Sequence, residues 1–130
     1  MMFTVRRVEV LPNAVIEADK ADGFIHVCEQ AALMFGSDRR EPKPYRPVVR
    51  IRNDNSRVVV LPCTTKDQIG SPDFFELNDE RVMWTHRPNG NNSFAHYRYE
   101  VIAGGSLKNK IGAMPQPARI ELLKWLKSRY

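Results

Sequence analysis

Residues 46–66 read RPVVRIRNDNSRVVVLPCTTK, and the fold turns on this stretch. Residues 47–52 (PVVRIR) and 57–61 (RVVVL) are short runs rich in β-branched side chains, which suit a pleated, packed surface. Asn53, Asp54, Asn55 and Ser56 separate them, a strong turn signal, so the stretch predicts a β-hairpin. Downstream, residues 64–72 (TTKDQIGSP) form a polar loop and Phe74–Leu77 (FFEL) a short strand. Residues 81–85 (RVMWT) and 93–102 (SFAHYRYEVI) read as strands on either side of a turn at Pro88, Asn89 and Gly90. Upstream, residues 3–10 (FTVRRVEV) and 23–28 (GFIHVC) are two more strands. Residues 29–35 (EQAALMF) fit one or two helical turns, and residues 36–45 a charged, proline-containing loop.

After Leu107, Lys108, Asn109, Lys110, Ile111 and Gly112 the pattern turns helical. Pro117 sits where a first-turn residue tolerates proline. Ile120 and Leu123, with Leu122, Trp125 and Leu126 beside them, give the helix an apolar face. Six or seven strands followed by one helix predict a mainly β domain with helical decoration: a small, strongly bent antiparallel sheet or SH3-like barrel closed by a C-terminal helix.

The 130 residues fit one domain, and 42% hydrophobic with 27% charged residues is a folded-chain balance. No apolar run approaches the length of a membrane span, and the N-terminal segment lacks the apolar core of a signal peptide. Cys28 and Cys63 lack metal-ligand spacing and are expected to be reduced and buried, which fits a cytoplasmic protein. The three histidines and the acidic residues show no metal-ligand spacing. No phosphate-loop, dinucleotide or acyl-transfer motif is present, so a site without metal or cofactor is expected. The net charge is +5, and it is unevenly placed. Residues 38–52 carry six basic and two acidic groups, and residues 108–130 six basic and one acidic. Two basic islands on a small domain point to a polyanion or an acidic protein partner.

Strand alternation across residues 93–102 sorts Ala95, Tyr97, Tyr99 and Val101 to a core face and Phe94, His96, Arg98, Glu100 and Ile102 to the other. That second face would hold a histidine, an arginine and a carboxylate in one row, a group able to move protons and bind an anion. His26 and His86 fall on a strand and at a turn edge, without evident partners.

The segment from Pro47 onward resembles the MazF/PemK family, the small endoribonucleases of bacterial toxin–antitoxin modules. Arg46, Pro47, Val48 and Val49 are similar to the family's R-P-V-V strand start. Val58 through Lys66 (VVVLPCTTK) resembles its V-x-V-P-C-T-T segment. Phe74–Leu77 stands where the family has an F-x-x-x-L strand, and Lys110, Ile111 and Gly112 resemble the k-I-G before its last helix. Gly23, Phe24, Ile25, His26 and Val27 match the opening strand loosely. The likeness spans roughly residues 23–126, leaving residues 1–22 as an N-terminal extension of a single domain. It departs from the family in residues 93–102, where the frequent R-x-D pair is replaced by His96-x-Arg98 or Arg98-x-Glu100.

The resemblance implies a CcdB/MazF-like fold and metal-independent cleavage of single-stranded RNA. The ribose 2′-hydroxyl attacks its own 3′-phosphate, so the enzyme must move protons and stabilise a phosphorane. Arg46 then matches the active-site arginine and Thr64 the active-site threonine. His96 would transfer protons and Arg98 hold phosphate. Thr65, Lys66 and Glu100 would contact substrate. The implied partners are single-stranded RNA, an acidic antitoxin segment and a second copy of the chain. Two other readings stay open. One is an inactive relative, or a toxin acting on a protein such as DNA gyrase in the manner of CcdB. The other is a nucleic-acid-binding barrel of the OB or SH3 type, which would expose aromatics on one face.

Overall fold

The computed structural model describes residues 21–38 and 43–130. The expected strand 3–10 lies outside the described residues. Among the described residues eight strands occur: β1 (Phe24–Glu29), β2 (Tyr45–Asp54), β3 (Arg57–Thr64), β4 (Phe74–Leu77), β5 (Met83–Trp84), β6 (Ser93–His96), β7 (Glu100–Ala103) and β8 (Leu107–Ala113). An α-helix, α1 (Gln116–Ser128), follows them. All described ladders are antiparallel, in the order β4-β6-β3-β2-β1-β8-β5, with β7 also paired to β3. The sheet curls into a half-barrel closed by α1, as the sequence predicts. No helix among the described residues is long and apolar enough to cross a membrane.

The β2–β3 hairpin forms where expected and runs longer at both ends. Asp54 pairs with Arg57, leaving Asn55 and Ser56 as the loop. Asn55 takes the left-handed conformation (φ 60°) that asparagine tolerates better than most residues. The unbroken apolar run of β3 has a simple cause: both of its faces are covered. Val59, Leu61 and Cys63 face the main core with Ile25, Val49, Ile51, Leu77 and the helix residues Leu122, Leu123 and Leu126. Val58 and Val60 face a second, smaller core with Cys28, Leu33, Val48 and Ile102.

Several expectations need correction. Residues 29–35 form only a three-residue 3-10 turn, Gln30–Ala32. The strand expected at 81–85 shrinks to Met83–Trp84, whereas Leu107–Ala113, not assigned from sequence, is a seven-residue strand on β1. Ile120 lies on the outer side of α1, 38% exposed. The largest correction concerns residues 93–102, which are two strands and not one. β7 pairs Glu100 with Val60, and β6 pairs Ala95 with Cys63. Two residues of β3 lie between those pairs, against four on the opposing chain, so the latter bulges outward at Tyr97 and Arg98. Pro62, lacking an N–H, sits at the gap and can donate nothing to it.

Because the excess is two residues, facing is preserved across the break. Ala95, Tyr97, Tyr99 and Val101 do pack on the main core. The opposite row, however, is not a continuous polar face: Phe94, Glu100 and Ile102 are buried, His96 is half-buried and only Arg98 is exposed.

Leu123 is fully buried between helix and sheet, so Leu123→Ala should cost about 3 kcal/mol through lost burial and a residual cavity. Ile120→Ala, on the outer face, should stay within about 0.5 kcal/mol. Urea unfolding of the two variants checks both values.

Candidate active site

Arg46 is the second residue of β2 and pairs across the sheet with Cys28 of β1, which turns its side chain toward the second core. The residue is 8% exposed. Nε donates to Gln30 Oε1 at 2.7 Å, and Nη1 donates to the Cys63 carbonyl at 2.9 Å. The Phe35 ring lies 4.8 Å from its guanidinium carbon. Gly36, with φ +79°, passes so close to Nη2 that a Cβ there would collide with it. A glycine is needed here both for the backbone angle and for the approach.

Gln30 is the residue that sequence reasoning missed. It is buried, its Nε2 donates to the Phe35 carbonyl at 2.7 Å, and its backbone N–H donates to Pro44 at 2.9 Å. One amide side chain thus joins the turn after β1 to the arginine on β2, a double role open to a group with both donor and acceptor. The available signal was a polar side chain directly ahead of the apolar run 31–35.

Glu100 completes the scaffold. Its buried carboxylate accepts from Met34 N at 2.7 Å and from Phe35 N at 3.0 Å. The strand break places β7 beneath this turn, so Glu100 holds backbone and does not contact the cleft as the sequence reading expected. Charge-assisted bonds to two amides fix the turn carrying Phe35 and Gly36.

Thr64 ends β3. Its Oγ1 accepts from Lys66 N at 3.1 Å, which curls the chain and aims residues 64–66 into one surface. Thr65 Oγ1 accepts from Asn89 Nδ2 at 3.1 Å. A cleft of about 800 Å³ lies here, lined among others by Phe35, Arg46, Thr64, Thr65, Lys66 and His86. The structure therefore gathers four of the seven residues singled out: Arg46, Thr64, Thr65 and Lys66. It also brings in His86, which the sequence left without a partner; the turn at 88–90 carries it to the rim near Asn89.

His96, Arg98 and Glu100 do not line this cleft. His96 packs its ring on Phe35 (5.2 Å), Phe74 (4.9 Å) and Tyr97 (4.8 Å). Burial holds its pKa below the ordinary 6.5, with Asp73 opposing and Arg98 assisting that shift. Arg98 is exposed and donates from Nε to Tyr97 Oη at 3.3 Å. Cys63 borders the cleft with its thiol turned into the main core, and burial pushes that thiol up to about 12 despite Arg46 nearby, and Cys28 to about 11, so neither is a thiolate at neutral pH. Among the described residues, no three of His, Cys, Asp and Glu stand together as metal ligands.

One member of each basic island meets the other in space. β2 and β8 both flank β1, and Arg50 and Lys110 approach the same Phe24 ring, at 4.9 and 4.1 Å from its centroid. Arg50 also pairs with Asp22 at 2.8 Å.

No family model matches the sequence, and no curated protein matches it. Solved structures do. The Mycobacterium tuberculosis toxin MazF-mt6 superimposes with a TM-score of 0.53 at 18% identity, covering 81% of this chain and 96% of that one. A second structure, described as an Mtb toxin, gives a TM-score of 0.52 at 16% identity, covering 65% of this chain and 92% of that one. The chain thus has a MazF-like toxin fold, a likeness of architecture.

His26 and His96 are both held below 6.5 chiefly by burial. Between their folded values and 6.5 the unfolded chain binds more protons, so stability falls as the pH drops through that window. Thermal unfolding should therefore occur at lower temperature at pH 5 than at pH 7.5. His26→Gln/His96→Gln should narrow that difference, as melts of both proteins across the range would show.

Proposed function

We propose that this chain is the toxin of a toxin–antitoxin module, acting in the cytoplasm as a metal-independent endoribonuclease on single-stranded RNA. The observation that carries the reading is the convergence of Arg46, Thr64, Thr65 and Lys66 on one cleft of a MazF-like fold. Those residues come from two strands and a loop, and they bring cationic and hydroxyl donors to one place.

In this reaction the 2′-oxygen bonds to the adjacent phosphorus and the 5′-oxygen leaves, giving a 2′,3′-cyclic phosphate and a free 5′-hydroxyl. A base takes the 2′-hydroxyl proton, and an acid returns one to the departing oxygen. Arg46 stabilises the extra negative charge on the phosphorane. Its guanidinium is already oriented by Gln30 and the Cys63 carbonyl, so little reorganisation accompanies the reaction. The Thr64 hydroxyl donates to a phosphate oxygen, and Lys66 attracts the flanking backbone. His86, the histidine lining the cleft, is the imidazole placed to move protons there. Glu100 and Gln30 position the turn and the arginine without touching substrate. The joined basic surface around Phe24 suits an acidic antitoxin segment, and a second copy of the chain would complete a two-fold dimer.

One observation favours a second reading, a MazF-like module that binds without cleaving. His96 and Glu100, singled out from the sequence, are committed to packing and backbone support, and neither lines the cleft.

Incubation with long mixed-sequence RNA in EDTA decides between them. The wild type should leave 2′,3′-cyclic phosphate ends, and the DNA counterpart, lacking the 2′-hydroxyl, should stay intact. Arg46→Ala and Thr64→Ala should each lose about 100-fold or more in kcat. His86→Gln should lose about 100-fold in kcat. Absence of cleavage by folded wild type would select the binding module. Gly36→Ala places a methyl group against Arg46 Nη2 at a left-handed backbone position. Its cleavage should fall to the level of Arg46→Ala, and near-wild-type rates would show that the arginine is not poised as described.

A further inference from the structure

The ring contacts do not stop at the cleft. Phe35, in the cleft wall, touches His96 at 5.2 Å; His96 touches Tyr97 at 4.8 Å, and Tyr97 touches Tyr130 at 5.8 Å. Guanidinium groups flank this series: the Arg98 and Arg129 carbons lie 5.9 and 5.4 Å from the Tyr97 centroid. Tyr130 is 60% exposed and Arg98 is exposed, while His96, Tyr97 and Arg129 are half-buried. The strip is held in place. The Tyr130 hydroxyl donates to the Tyr97 carbonyl at 2.9 Å, and Arg129 pairs with Asp73 at 2.6 Å. Asp73 is also the carboxylate acting on His96.

We propose that Tyr97 and Tyr130, backed by His96 and edged by Arg98 and Arg129, form a stacking platform for bases of single-stranded RNA leaving the cleft. The proposal rests on the reading of that cleft as an RNA site. At the bulge between β6 and β7 the Arg98 guanidinium reaches the Tyr97 hydroxyl and ring, so the two border one surface although Tyr97 also packs on the main core. Aromatic faces interleaved with guanidinium groups are how proteins hold single strands without reading sequence: every base has a face to stack, and each phosphate is drawn by charge. The ring spacings exceed the roughly 3.4 Å between stacked bases, so the surface fits an extended strand whose bases are splayed apart. Duplex bases, already paired and stacked, are not available to it.

The test uses a mixed-sequence 2′-O-methyl RNA long enough to extend beyond the cleft, which cannot be cleaved because its nucleophile is blocked. Binding is read by fluorescence anisotropy in EDTA, with thermal melts confirming that each variant is folded. Tyr97→Leu should weaken binding about tenfold, with a smaller loss for Tyr130→Leu, whose exposed ring makes unfolding a minor risk. On cleavable RNA the same variants should raise KM and leave kcat nearly unchanged. A 2-aminopurine in the strand should be quenched by the wild type and less so by Tyr97→Leu. Wild-type affinity in both folded variants would overturn the platform while leaving the ribonuclease reading to stand on cleavage in EDTA. Tyr97-dependent RNA binding without any cleavage would uphold the platform and remove the catalytic reading. Failure of the wild type to bind RNA, or a Tyr97 effect confined to a poly-glutamate peptide, would overturn the platform.

Discussion

The cleft depends on one buried carboxylate. Glu100 accepts the amides of Met34 and Phe35, and through that turn it fixes the Phe35 ring, Gly36 and the carbonyl that Gln30 binds. Gln30 in turn orients Arg46. The chain of contacts runs from β7 through a short turn to β2, three elements far apart in sequence. Each link satisfies a polar group that burial would otherwise leave costly. The same bonds that stabilise the second core therefore set the direction of the guanidinium.

This arrangement divides labour between the two faces of the sheet. The main core, built on Leu61, Leu77, Leu122, Leu123 and Leu126, provides the bulk of apolar burial and seats the helix. The second core is small, and it holds Arg46, Gln30 and Glu100 at its margins. β3 serves both. Its side chains alternate between the two cores, its end presents Thr64, and the Cys63 carbonyl on the way holds the arginine. A strand covered on both faces has little freedom to shift, which suits a site whose donors must stay aimed.

The parts of this structure legible in the sequence are those governed by local pattern. The hairpin followed from two β-branched runs around Asn53–Ser56 residues, Phe74–Leu77 from its composition, and the helix from its apolar spacing after Pro117. Arg46, Thr64, Thr65 and Lys66 were marked by a resemblance concentrated in residues 46–66, and they share one cleft. The break after His96 was not legible, because a two-residue excess leaves the alternation of Ala95, Tyr97, Tyr99 and Val101 intact. The pattern of core residues is the same for one strand or two. Gln30 and His86 escaped for another reason: their surroundings are assembled by contacts from distant segments, and no local spacing encodes them.

The bulge between β6 and β7 has an evolutionary side. Inserting or deleting residues there in pairs keeps Glu100 and Ile102 facing the second core, so the surface can lengthen or shorten while both cores keep their members. A change by a single residue would reverse every side chain of β7 and turn the carboxylate toward the helix. The fold thus carries a place where its outer contour can drift in even steps, with the odd steps removed by the cost of an unpartnered charge in an apolar interior.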